Sequence, residues 1–172
     1  INEDANTGVL PFTVGDAQTA AASLTVSGLS SNTTLVPNAN IVFGGSGANR
    51  TVTVTPAANQ SGTATITVTV SDGSLTASDP FVLTVNAVND APTIDSGPTA
   101  TPNPALVGET VSFIVGASDA DDAVLTYAWT FGDGQNGSGA TPTHAYAAAG
   151  TFTATVTVTD GHGGSVAGNV TV

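Results

Sequence analysis

The sequence predicts an all-β chain folded as two tandem Greek-key β-sandwiches. Three observations carry this. Strict two-residue alternation of apolar and hydroxyl side chains recurs along the chain. A seven-residue motif, "TVTVSDG" at Thr67–Gly73, returns as "TVTVTDG" at Thr155–Gly161, 88 positions later. Clusters of Gly, Asn and Asp punctuate the chain at the spacing of sandwich turns.

The elements follow in order. "RTVTVT" (Arg50–Thr55) alternates valine with threonine. "TATITVTVS" (Thr63–Ser71) puts Ala64, Ile66, Val68 and Val70 on one face and threonines on the other. After "FVLTV" the polar stretch "AVNDAP" (Ala87–Pro92) marks a junction, and Pro92 biases the residue before it toward extended backbone. "TVSFIV" (Thr110–Val115), Val124–Phe131 and "TFTATVTVT" (Thr151–Thr159) then read as half-buried antiparallel strands. No segment longer than a turn has a helical period. The repeat length is that of an immunoglobulin-like sandwich, so the domains are placed at residues 1–90 and 91–172.

Composition bounds the function. The chain has 172 residues, one basic side chain (Arg50), no lysine, 13 acids and a formal net charge of −12. Such a surface cannot neutralise phosphates, which argues against nucleic acid and anionic membranes. No apolar run approaches the ~20 residues of a membrane helix, and no signal peptide is visible. Ile1 reads as the start of a mature or excised segment. Cysteine is absent, which excludes disulfides and thiolate metal sites. Without lysine there is no Lys–Asn isopeptide staple.

Strand direction decides which acids meet. In an antiparallel sandwich the linker enters domain 2 at one end, and its second strand returns there. Asp90, Asp119, Asp121, Asp122 and Asp160 are expected to converge at that end, with Asp133 at the other. In domain 1, Glu3 and the loop at Pro56–Gly62 are expected near the linker, and Asp16 and Asp72 away from it. Carboxylates gathered with so little basic charge need protons or an external cation. Hard oxygen donors at this density suit Ca²⁺. The plain alternative is turn chemistry: Asp-rich turns on a solvated surface.

Two resemblances add to this. Residues 1–92 resemble the bacterial cadherin-like repeats of large secreted proteins, through "NEDA", "FTVGD", "TVTPAANQSGTATITVTVSDG" and the terminal "VNDAP". Residues 93–172 resemble a PKD (polycystic kidney disease) domain, through "YAWTFGDG" and "HAYAAAGTFTATVTVTD". The cadherin resemblance implies Ca²⁺ at the joint, with ligands at Glu3, Asn89, Asp90, Asp119, Asp121 and Asp160. Its usual acidic loop is "AANQ" here, which leaves one half of such a site weak. The resemblance also implies that the first domain lacks its first strand, since the sequence opens on the "NED" turn. The strand would come from a longer parent protein, or from another copy in a filament built by strand donation.

Other residues read as structural. Trp129 shares a strand face with Tyr127 and Phe131, as core residues do, and Asp133 reads as a turn residue. His144 and His162 lie on different elements and share no metal. Asp160, His162 and Ser165 crowd one turn without a nucleophile elbow. The sequons at Asn32, Asn49, Asn59, Asn136 and Asn169 are mostly accidents of a Thr- and Asn-rich chain.

The expected function is therefore a non-catalytic structural or adhesive module of an extracellular bacterial or archaeal surface protein. Its partners would be adjacent repeats or other copies of itself, then surface glycans or other cell-surface proteins. The alternative is an accessory, carbohydrate-binding or presenting pair of domains in a secreted hydrolase.

Overall fold

A computed structural model describes all residues from Ile1 to Val172. The protein is all-β, with two single-turn 3-10 segments at Ala21–Ser23 and Asn38–Asn40. No helix is long and apolar enough to cross a membrane. The chain divides into two compact units, Ile1–Val88 and Asn89–Val172.

The first unit holds β1 (Leu10–Thr13), β2 (Thr25–Ser30), β3 (Ile41–Ser46), β4 (Asn49–Val54), β5 (Gly62–Ser71) and β6 (Thr76–Val85). They form two three-stranded antiparallel sheets, β1-β4-β3 and β2-β5-β6. The alternation in β5 is realised as expected: Ala64, Ile66 and Val68 are buried, while the threonines between them face outward. The core is wholly aliphatic, with Leu35, Val36, Val54, Ile66 and Val85 at its centre. Arg50 closes one end. Its guanidinium donates to the carbonyls of Gly47 (2.9 Å), Ala21 (3.0 Å) and Leu24 (3.2 Å), and to no carboxylate.

Before β1 the chain contributes one isolated parallel bridge, Asn2 with Asn86. Asp4 accepts a hydrogen bond from the Asn59 backbone N–H at 3.1 Å, so the loop after Pro56 lies beside the "NED" turn. Asp72 caps the β5–β6 turn at the opposite end, accepting from Ser74 and Leu75, both at 2.7 Å.

The second unit holds β7 (Thr93–Thr101), β8 (Thr110–Ser118), β9 (Thr126–Thr130), β10 (Asn136–Ser138), β11 (Thr143–Ala145), β12 (Thr153–Thr159) and β13 (Ser165–Thr171). Its sheets are β11-β8-β7 and β10-β9-β12-β13. Strand β12 begins two residues later than the alternation suggests. Phe152 still exchanges two backbone hydrogen bonds with Val172, at 3.0 and 2.9 Å. The core is aromatic: Trp129, Phe113 and Phe131 are 2 % exposed or less. The Trp129 indole donates to the Gly139 carbonyl at 3.0 Å and the Tyr146 hydroxyl to the Phe131 carbonyl at 3.1 Å, so both polar tips are satisfied.

Candidate functional site

Pairing of β7 with β8 sets Thr93 opposite Ser118, and pairing of β12 with β9 sets Thr159 opposite Thr126. The residues before Thr93 and the loops after Ser118 and Thr159 therefore meet at one end of the second unit. The contacts are direct. The Asp90 backbone N–H donates to Asp121 Oδ2 at 2.8 Å. The Asn89 side-chain amide donates to Asp160 Oδ2 at 2.8 Å. His162 Nδ1 lies 2.9 Å from Asp122 Oδ2.

Asp160 organises the loop "DGHGG". Its Oδ1 accepts the backbone N–H groups of His162 (2.7 Å), Gly163 (3.0 Å) and Gly164 (3.0 Å). The Asn89 amide, and beyond it these N–H groups, hold its carboxyl below the usual carboxylate range, against the effect of its burial. Gly164 is required for this packing. A Cβ there would collide with Asp160 Oδ2 and come within 3.0 Å of the Asp90 carbonyl oxygen.

Asp119 plays the same part in the loop "SDADD". Its Oδ1 accepts from the backbone N–H groups of Asp121 and Asp122, both at 2.9 Å. Its Oδ2 is buried and has no hydrogen-bond partner. A buried carboxylate oxygen without a donor is costly unless a cation or water meets it.

Five of the six expected ligands, Asn89, Asp90, Asp119, Asp121 and Asp160, belong to this unit and this loop cluster. Glu3 belongs to the first unit. It is 6 % exposed, and its Oε1 accepts the Val88 backbone N–H at 2.5 Å, which ties the end of that unit to its opening turn. No group of three or more acidic or histidine side chains is gathered as a finished metal cage. Backbone donors hold at least one oxygen of Asp119, Asp121 and Asp160.

Sequence reasoning left His162 without a role. The structure pairs it with Asp122 across 40 positions. That hydrogen bond and charge, with the charges of Asp160 and Asp119 behind them, raise the imidazole above its usual value. The "DADDA" and "DGHGG" loops carry the signal only once the topology sets them side by side. His162 does not join Asp160 and Ser165 in a relay, because its ring faces Asp122.

A second pair was also missed. At the other end of the unit, His144 Nε2 lies 2.7 Å from Asp133 Oδ2. The imidazole stacks on Phe131 with centroids 4.2 Å apart and planes 2° off parallel. Asp133 is a turn residue as expected, accepting the Gln135 N–H at 3.0 Å, and it is also this partner. Burial opposes its ionisation, but the Gln135 N–H and His144 outweigh it and hold the carboxyl below its usual range.

Comparison with known proteins gives the following. Residues 89–172 match the family model of the PKD domain. Among solved structures, the PKD1 domain of Vibrio anguillarum Epp is 32 % identical, with 49 % of this chain and 94 % of that one covered and a TM-score of 0.41. The PKD1 domain of the Vibrio cholerae metalloprotease PrtV is 32 % identical, over 48 % of this chain and 95 % of that one, with a TM-score of 0.40. Chicken VE-cadherin EC1-2 is 18 % identical, over 99 % of this chain and 94 % of that one, with a TM-score of 0.40. No match was found among curated proteins.

Proposed function

With residues 89–172 belonging to the PKD domain family, we propose that the chain is a non-catalytic structural or adhesive module of an extracellular bacterial or archaeal surface protein, in which Ca²⁺ stiffens the joint between repeats. The observation that carries the calcium part is Asp119 Oδ2, a buried carboxylate oxygen with no donor, set among Asp121, Asp122 and Asp160 in a chain with one basic side chain. Hard oxygen donors in flexible loops suit Ca²⁺, which accepts 6–8 oxygens in irregular geometry. Asp119 and Asp121 would supply carboxylate oxygens, and Asn89, Asp90 and Asp160 stand beside them. Water and backbone carbonyls would complete the shell, since the side chains alone do not form a cage. Glu3, already committed to Val88, is the weakest of the six candidates.

The test is thermal melting in Ca²⁺ and in EDTA. Calcium should raise the melting temperature, and Asp119→Asn with Asp121→Asn should abolish the rise. Identical melting in both buffers ends the calcium reading.

Self-assembly by strand donation is the finer part of the same reading. The outer edge of β6 supports it, because β6 has a strand neighbour on one side only. The rival reading, a carbohydrate-binding accessory pair, asks for exposed aromatics in a row. Trp129 is 1 % and Tyr146 4 % exposed, and both rings serve the core instead.

A further inference from the structure

The first unit's sandwich is open along one seam. Between β1 and β6 runs an apolar groove of about 320 Å³, walled by Leu10, Phe12, Val68, Val70 and Phe81. Asp79 is the one charged residue on its lining. Apolar walls left open to water forfeit burial energy at roughly 25 cal/mol per Å², so this seam has a strong reason to take a cover.

The structure shows where that cover would begin. The Ile1 nitrogen donates to the Thr84 carbonyl at 3.0 Å. The Asn86 N–H donates to the Ile1 carbonyl at 2.8 Å, and the Glu3 N–H to the Asn86 carbonyl at 2.9 Å. Ile1–Glu3 thus runs parallel to the end of β6, on the side away from β5. Alternate residues of a strand aim their N–H and C=O groups to the same side. If Thr84 and Asn86 face this edge, so do Val82, Pro80 and Ser78. The N–H of Val82 and that of Thr84 are open donors on the edge. Pro80 has no N–H to offer, which is how edge strands are commonly blunted.

We propose that the groove is the seat of an extended strand joined to Ile1 on its N-terminal side. The strand runs parallel to β6 beside Thr84 and Val82, leaves the ladder at Pro80, and lies across the apolar groove toward β1. Covering the seam as far as Ala77 takes about eight residues at ~3.3 Å each. Alternate residues, apolar ones such as valine, point into the groove. The position beside Asp79 takes a hydroxyl or basic side chain, not an acid. Covalent attachment decides the source. A segment tethered to Ile1 has an effective concentration on the order of millimolar, whereas a second copy brings its own net charge of −12 against this one.

This inference rests on the strand-addition part of the proposed function and gives it an address and a direction. The experiment compares two fusions ahead of Ile1, about eight residues long, one alternating Thr-Val and one of Gly-Ser, both in EDTA so that calcium contributes to neither. Amide exchange at Val82 and Thr84 is read by NMR, with size-exclusion chromatography in parallel. The Thr-Val fusion should stay monomeric and slow both amides about tenfold or more relative to the Gly-Ser fusion, the signature of new hydrogen bonds on a formerly open edge. Equal exchange in the two fusions overturns the seat. Slowed exchange that appears only with concentration-dependent polymers overturns the tethered source and assigns the groove to a second copy. Neither failure touches the calcium reading, which is read from the response to EDTA of the chain without a fusion.

Discussion

The two units solve the same packing problem with different side chains. The first fills its sandwich with Leu, Val, Ile and Ala, and its three phenylalanines, Phe12, Phe43 and Phe81, pack only partly buried against that core. The second places Trp129, Phe113, Phe131 and Tyr146 at the centre and stacks Phe152 on Tyr146 with centroids 4.4 Å apart. Large rings bridge two sheets from few positions. Small aliphatic residues need more of them, and a cover over every seam. The difference explains why the first unit keeps an open apolar groove between β1 and β6 and why its one arginine is spent on closing an end.

The largest expected effect breaks the aromatic side of this contrast. Phe131 touches Phe113 and Trp129 and stacks on His144. Phe131→Ala should cost about 3–5 kcal/mol, the usual range for a buried ring lost from a tight core. Trp129, the single tryptophan, lies in this unit, so its emission during urea unfolding reads the loss directly. A cost below about 1 kcal/mol would mean that the aliphatic neighbours carry this core and that the contrast is superficial.

The aliphatic unit is tested at Arg50. Its guanidinium makes three hydrogen bonds to carbonyls, two of them more than 25 positions away in sequence. Hydrogen bonds to a charged group are the stronger kind, so Arg50→Met, which keeps much of the stem, should cost about 2 kcal/mol. Far-UV circular dichroism in urea follows it, because this unit has neither tryptophan nor tyrosine. An unchanged midpoint would show that the clamp is ornamental to stability.

These residues also show how far the sequence could be read. Strands β5 and β12 were legible because alternation is a local pattern that burial on one face enforces. Trp129 was legible as core because it shares that face with Phe131. Arg50 was not, since nothing local marks the carbonyls of Ala21 and Leu24 as its partners. At the candidate site, strand direction alone places the acidic loops at one end. It cannot show that backbone N–H groups hold Asp119 and Asp160, and that one Asp119 oxygen is left without a donor. The pairs Asp122–His162 and Asp133–His144 depend on loop geometry to within an ångström, which no spacing rule specifies.

The smallest effect concerns the polar end of the second unit, where the contrast is not between rings and aliphatics but between buried and exposed charge. Asp160 is 5 % exposed and its carboxyl is held below the usual range. A lowered carboxylate stabilises above its unfolded value near 3.8 and loses that contribution as pH falls through the folded value. His162 runs the other way. Its imidazole is raised from 6.5 by Asp122, so its contribution is complete below 6.5 and fades as pH rises through the folded value. The His162 ring is 66 % exposed, so solvent screens the pair and the effect on melting should be slight. The titration itself is the sharper readout. In an NMR pH series, Asp122→Asn should lower the His162 midpoint toward its ordinary value while leaving His144, paired with Asp133 at the other end, where it is. If His162 titrates identically in both proteins, Asp122 does not set its charge. The residual acids Asp119 and Asp160 would then be the groups that a cation at this end must answer to.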